Sequence, residues 1–135
     1  VNVFSPGDHG STFGGNVLTC AGAYYVANKL FNTNMIKTIK DTSKILNNLL
    51  IELLQDNEDV VKLRGRGLLR GIELSKNIAP EVAQQCINNG LLINPVRPNV
   101  LRLMPPLNVS IKQLKDAKKI IAKSIIEVTR EEQNV

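Results

Sequence analysis

Apolar residues recur at steps of three and four residues in two long stretches of the chain. One is NMIKTIKDTSKILNNLLIELLQ (residues 34–55), where lysines fill positions between them, and the other is NVSIKQLKDAKKIIAKSIIEVTR (residues 108–130). A period near 3.6 predicts an amphipathic helix whose apolar stripe faces a core. Ser110 and Gln113 form a capping-box pattern at the start of the second stretch, so we expect its helix to begin there.

Two shorter helices are predicted from their ends. Asn16 precedes VLTCAGAYYVANKLF (residues 17–31), and asparagine is a favoured N-cap residue. In IAPEVAQQCINNG (residues 78–90), Pro80 stands near the first turn and Gly90 at the end, which is the usual placement of these residues around a helix. We therefore expect a helix in each segment.

Strand-like patterns occupy the segments between these helices. VVKLRGRGLLRGIEL (residues 60–74) alternates apolar and basic residues around Gly65 and Gly67, which predicts two strands that meet at a glycine bend. LLINPV (residues 91–96) and VLRLMPP (residues 100–106) are strand-like and contain or precede prolines. This order predicts an α/β protein of the α+β type, with a small, mostly antiparallel sheet and helices packed against it.

Length and composition limit the class of protein. The chain has 135 residues, 43% of them hydrophobic, and a net charge of +5, which fits one domain. No apolar run approaches the ~18 residues that would span a bilayer. The basic residues form no dense block and aromatic residues make up only 4% of the chain, which argues against nucleic-acid binding. We expect neither a membrane nor a nucleic acid as a partner.

The two cysteines and the start of the chain indicate its context. Cys20 and Cys86 belong to no CxxC motif and no Cys/His cluster, so we expect reduced thiols in the cytoplasm and no metal site. The chain opens VNVFSPGDHG, without an initiator methionine or the plan of a signal peptide. This start indicates a piece of a longer protein.

Glycines and hydroxyl residues are concentrated in PGDHGSTFGGN (residues 6–16). Glycines let a backbone approach a ligand closely, and free N–H groups before a helix N-terminus favour phosphate or carboxylate. Ser11 and Thr12 would add hydroxyl donors. The stretch matches neither GxGxxG nor GxxxxGK[ST], so a connection that only positions the next helix is an equal alternative. His9 by itself is more often a hydrogen-bonding loop residue than a catalyst.

A single arginine stands out in NVLRLMPPLNVS (residues 99–110). Strand alternation puts Leu101 and Leu103 on one face and Arg102 on the other. An arginine at the end of a strand that prolines stop is well placed to bind a carboxylate through both arms of its guanidinium. The alternative is a solvated strand arginine without a ligand.

Three of these stretches together resemble one family. PGDHGSTFGGNVLTCAGA, VVKLRGRGLLRGIEL and NVLRLMPPLNVSIKQL closely resemble, in this order, the C-terminal part of class III (subgroup II) pyridoxal-phosphate aminotransferases. Val17 departs from the family, which usually has proline after GGN. The resemblance implies that residues 17–135 form the small C-terminal domain of a fold type I transferase, and that residues 1–16 are a cofactor-phosphate loop and a lead-in from a large domain.

The same resemblance implies roles for three residues. In the family, the serine and threonine of GSTFGGN reach the phosphate of the pyridoxal 5'-phosphate that the other subunit of a homodimer binds, and these residues map to Ser11 and Thr12. The arginine of LRxxPPL binds the α-carboxylate of the substrate and maps to Arg102. The Schiff-base lysine and the aspartate that holds the pyridine nitrogen lie upstream of GSTFGGN in the family. We therefore expect no catalytic residue in this piece and no transamination by it alone.

The substrate is a further implication of the resemblance. PGDHG before STFGGN favours the members of the family that transfer an amino group from N2-acetylornithine to 2-oxoglutarate, which yields glutamate, in arginine biosynthesis. Ornithine, succinyldiaminopimelate and 4-aminobutyrate are alternative amino donors. A different alternative is a free-standing basic α/β binding module. Arg64, Arg66 and Arg70 have no role in the family, and we expect them to be charges on the sheet surface.

Overall fold

The computed structural model of this protein describes residues 3, 5, 7–8 and 10–133. Side chains are described up to residue 130, and His9 lies outside the described residues. Contacts divide the chain into two compact units, Val1–Lys37 and Thr38–Val135. None of the described helices combines the length and the apolar composition that a membrane crossing requires.

The order of helices and strands agrees with the sequence pattern. They are α1 (Val17–Phe31), α2 (Met35–Asp56), β1 (Val60–Arg66), β2 (Leu69–Leu74), α3 (Ala79–Asn88), β3 (Asn94–Arg97), β4 (Val100–Leu103) and α4 (Ile111–Gln133). The predicted α+β class with an antiparallel sheet is therefore confirmed.

The four strands form one sheet in the order β1-β2-β4-β3, and every neighbouring pair is antiparallel. Gly71 of β2 lies opposite Arg64 of β1 and opposite Arg102 of β4. Arg102 in turn lies opposite Asn94 of β3. These four residues form a row across the whole sheet, which we call the cross-sheet row. Residues directly opposite each other in an antiparallel sheet share a face, so the row belongs to one face.

The other face of the sheet contributes to the core of the second unit. Ile72 and Leu101 are opposite each other in the register, and both are fully buried. The helices add to the same core Leu46, Leu50, Leu53, Val82, Cys86, Ile121 and Ile125. The residues from α2 and α4 fall on the apolar stripes that the three- and four-residue steps predict. This core fixes the sheet, and with it the place of Arg102.

Both predicted N-caps are present. Asn16 Oδ1 accepts a hydrogen bond from Thr19 N at 3.0 Å, so α1 begins directly after Asn16. Before α4, Gln113 N donates to Ser110 Oγ at 3.2 Å and Ser110 N donates to Gln113 Oε1 at 2.9 Å. This reciprocal pair is the capping box, and it satisfies two backbone donors at the helix start.

Candidate functional site

The segment before α1 is a closed loop held by its own side chains. Ser11 Oγ accepts a hydrogen bond from Gly14 N at 2.8 Å, and Asn16 Nδ2 donates to Phe13 O at 2.5 Å. A Cβ atom at Gly14 would lie 2.8 Å from Ser11 Oγ, so a larger residue there would displace the serine. Gly15 has φ 74°, a value that favours glycine. The glycines therefore shape the loop around Ser11.

This loop presents hydrogen-bond donors of the kind that bind a phosphate. Ser11 and Thr12 are both exposed. Because Ser11 Oγ is the acceptor in its bond with Gly14, its own O–H is left to donate. The N–H groups of the first turn of α1 have no partner within the helix, apart from Thr19 N, which Asn16 caps. Hydroxyl and backbone donors at a helix start suit a phosphate dianion, so the residues present fit a cofactor phosphate.

The second candidate residue, Arg102, lies in β4 at the centre of the cross-sheet row. Leu101 beside it is fully buried and Leu103 is half-buried, whereas Arg102 is exposed. The alternation predicted from the sequence is therefore confirmed. With the Asn94 amide turned to suit its neighbours, the side-chain oxygen of Asn94 accepts from Arg102 Nη2 at 3.0 Å. This contact leaves other donors of the guanidinium for a ligand.

Charge on the cross-sheet row is not distributed evenly. Arg64 donates from Nε and Nη2 to Glu73 Oε2, at 2.7 Å and 2.6 Å. Over the described part of the chain, no carboxylate lies within ion-pair distance of Arg102. Arg102 is therefore an arginine without a charge partner, and such a group is suited to an anionic ligand.

The prediction that Arg70 is a surface charge is wrong. Its guanidinium is directed to the helical side of the sheet, where Nη2 donates to Asn47 Oδ1 at 2.6 Å and Nη1 donates to Gly65 O at 3.2 Å. The Nε atom of Arg70 is buried and has no partner. Arg70 thus ties α2 to the β1–β2 hairpin. Alternation alone could not show this, because Arg70 falls on the same face as the core residue Ile72 only once the irregular backbone at Gly65 is known.

An apolar cavity of about 450 Å³ lies at the end of β4 in the second unit. Leu50 and Ile121 line it from α2 and α4, and Arg102, Met104 and Pro105 line it from the end of β4 and the segment that follows. Sequence reasoning did not identify this cavity, because it depends on how two helices pack over a strand end. Ser11 and Thr12 belong to the first unit and Arg102 to the second, and each is described within its own unit.

Comparison with known proteins gives a consistent result. An acetylornithine aminotransferase of Listeria innocua is 40% identical over 126 residues, which are 93% of this chain and 32% of that protein. A second one, from Caldanaerobacter subterraneus, is 39% identical over 127 residues, again 93% of this chain and 32% of that protein. The chain thus spans about a third of the length of these curated relatives.

Solved structures agree with the sequence relatives. The acetylornithine aminotransferase of Elizabethkingia anophelis matches 92% of this chain and 33% of its own, with a TM-score of 0.77 and 34% identity. The ornithine aminotransferase of Toxoplasma gondii matches 96% of this chain and 31% of its own, with a TM-score of 0.75 and 32% identity. The class-III aminotransferase family, whose members depend on pyridoxal 5'-phosphate, matches residues 1–125. This chain therefore belongs to the class-III aminotransferase family.

Proposed function

We propose that this chain is the C-terminal part of a pyridoxal-phosphate-dependent enzyme that transfers an amino group from N2-acetylornithine to 2-oxoglutarate. The observation that carries the proposal is the unpaired guanidinium of Arg102 on the open sheet face of a class-III aminotransferase chain. The curated relatives that match at 36–40% identity carry the name acetylornithine aminotransferase, which supports this donor over ornithine, succinyldiaminopimelate and 4-aminobutyrate.

Arg102 would bind the α-carboxylate of the substrate. Its backbone is fixed by pairing with β2 on one side and β3 on the other, and Asn94 holds one arm of its guanidinium. A planar guanidinium binds both oxygens of a carboxylate, which orients the amino acid as well as holding it. Orientation of the reacting bond is a large part of what such a site contributes to rate.

Ser11 and Thr12 would bind the cofactor phosphate. Their hydroxyls and the N–H groups at the start of α1 are donors, and the positive end of the helix favours a dianion. When bound, the cofactor supplies the carbonyl group and the electron-accepting ring that amino transfer needs. Because in the family this loop serves the cofactor of the other subunit, the proposal includes a homodimer. We further propose a cytoplasmic enzyme and a catalytic lysine that precedes the loop.

Two measurements on the full-length protein test the proposal. Glutamate formation from 2-oxoglutarate is compared for N2-acetylornithine, ornithine and 4-aminobutyrate, and we expect the acetylated donor to give the highest kcat/KM. A higher value for another donor would keep the family and change the substrate. Cofactor binding is then measured by dialysis for Thr12→Val, which removes the hydroxyl without changing volume, and for Thr12→Ser, which keeps it.

We expect Thr12→Val to lose about 10-fold in cofactor affinity, the effect of one hydrogen bond to a charged group. Thr12→Ser should stay close to the parent. Equal binding by all three proteins would mean that the Thr12 hydroxyl does not contact the phosphate.

A further inference from the structure

Glu73 has an arginine at the same diagonal position on each side of β2. Gly71 precedes Glu73 by two residues and lies opposite both Arg64 in β1 and Arg102 in β4. Residues at such diagonal positions are about 7–8 Å apart on one face, a separation that long side chains span. The Arg64–Glu73 ion pair shows that the diagonal is spanned on one side of β2. By register, the Glu73 carboxylate can reach Arg102 on the other side as well.

The structure resolves this competition in favour of Arg64. Both Nε and Nη2 of Arg64 donate to one oxygen of Glu73, and the Glu73 side chain is only 22% exposed. Arg102 has the Asn94 amide as its neighbour instead. Gly71, between the two arginines, has no side chain, so the surface between them is open to a ligand.

We propose that Arg64 is a positioning residue that holds the Glu73 carboxylate away from Arg102, so that the Arg102 guanidinium stays available for a substrate carboxylate. This inference rests on the proposed role of Arg102. Its physical basis is that Glu73 and the substrate carboxylate would compete for one guanidinium. A carboxylate that is already bonded to Arg64 is a weaker competitor than a free one.

The test uses the full-length enzyme and four variants. Arg64→Met removes the charge but keeps a long unbranched stem for packing. The double variant Arg64→Met/Glu73→Gln also removes the competing carboxylate. Arg66→Met removes the same charge two residues along β1 and controls for a general loss of positive potential, and Arg102→Ala marks the loss of the site. All variants carry Lys62→Gln, because Lys62 lies directly opposite Glu73 and would otherwise attract the released carboxylate.

The readouts are kcat, the KM of the amino donor and the dissociation constant of succinate, a carboxylate that cannot react as an amino donor or acceptor. We expect Arg64→Met to raise KM and the succinate dissociation constant about three- to fivefold, the effect of a partly exposed ion pair, with kcat little changed. Arg64→Met/Glu73→Gln should return both to the parent value. Arg66→Met should change them much less than Arg64→Met does.

Two results would overturn the inference while the proposed function stands: a double variant as weak as Arg64→Met, or equal effects of Arg64→Met and Arg66→Met. If Arg102→Ala itself leaves KM and succinate binding unchanged, the proposed role of Arg102 fails and this inference fails with it. Rescue by removal of a second side chain separates competition from a purely structural role, since a structural defect would not be relieved by Glu73→Gln.

Discussion

The backbone at Gly65 passes so close to Leu69 that a Cβ atom on Gly65 would lie 2.2 Å from the Leu69 carbonyl oxygen. Gly65 also has φ 93°, which side chains rarely allow. Its carbonyl accepts a hydrogen bond from Arg70 Nη1, the residue opposite it in the register. The tight hairpin between β1 and β2 therefore depends on a glycine at this position, and the hairpin sets the register of the cross-sheet row.

We expect Gly65→Ala to lower the free energy of unfolding by about 3 kcal/mol or more, because it combines a forced φ with a backbone clash. Gly67→Ala is the matched control. Gly67 also has a positive φ, of 62°, but a Cβ there would meet nothing within 4 Å. It should cost only about 1 kcal/mol. Urea unfolding of the two variants checks this, and equal losses would show that the approach to Leu69 is not the cause.

The capping box of α4 gives a second prediction. Ser110→Ala removes the oxygen that accepts from Gln113 N, and we expect a loss of about 1 kcal/mol in the free energy of unfolding. Ser43→Ala is the control, because Ser43 lies inside α2, is exposed and donates only to Lys40 O. Alanine is the better helix former there, so Ser43→Ala should be neutral or slightly stabilising. Similar losses in both would argue against the cap.

Cys86 makes stability depend on pH. Burial raises the pKa of the Cys86 thiol above its ordinary value of 9.0, and a hydrogen bond with Ser124 opposes that rise. The unfolded chain therefore loses this proton at a lower pH than the folded chain. The stabilisation is complete below about pH 9 and is lost as pH rises through the folded pKa. We expect the free energy of unfolding to fall between about pH 8 and 10, and to fall less steeply in Cys86→Ala.

The same burial separates the two thiols in reactivity. Cys20 is exposed and Cys86 is buried. A disulfide reagent should therefore modify one thiol of the native protein quickly and the other only as the protein unfolds. Fast modification of Cys86, shown by mass spectrometry of its peptide, would contradict its placement in the core.

Local signals in the sequence were sufficient for the helices. Asn16 fixed the start of α1, and the predicted range of residues 17–31 is the observed one, Val17–Phe31. The stripe and capping box fixed α4, which ends three residues beyond the predicted Arg130, at Gln133. Helix ends are set by caps and helix faces by a short period, and both can be read without knowing the tertiary structure.

Features that depend on tertiary contacts were less predictable. β3 was expected at residues 91–96 and is found at Asn94–Arg97. Leu91 N instead donates to Cys86 O and completes the end of α3, so the strand begins where Asn94 meets Arg102. The side of the sheet reached by Arg70 and the Arg64–Glu73 pair likewise depend on the register.

The family resemblance added what local signals could not. From the residues alone, Arg102 had a solvated strand arginine as an alternative, and the opening loop had a simple connection. The match of residues 1–125 to the class-III aminotransferases places both in a family of enzymes and argues against a free-standing binding module. The roles of Ser11, Thr12 and Arg102 stay predictions, and so do the boundaries at residues 1–16 and 17–135.

The most direct test of the central claim is the effect of Arg102→Ala on the KM of N2-acetylornithine in the full-length enzyme, with Arg97→Ala as the control for loss of an exposed strand arginine. We expect Arg102→Ala to lower kcat/KM about 10- to 100-fold, because a charge-assisted bond to the substrate is lost. The thermal midpoint should be unchanged, and Arg97→Ala should behave like the parent. An unchanged kcat/KM in a folded Arg102→Ala enzyme would contradict the account.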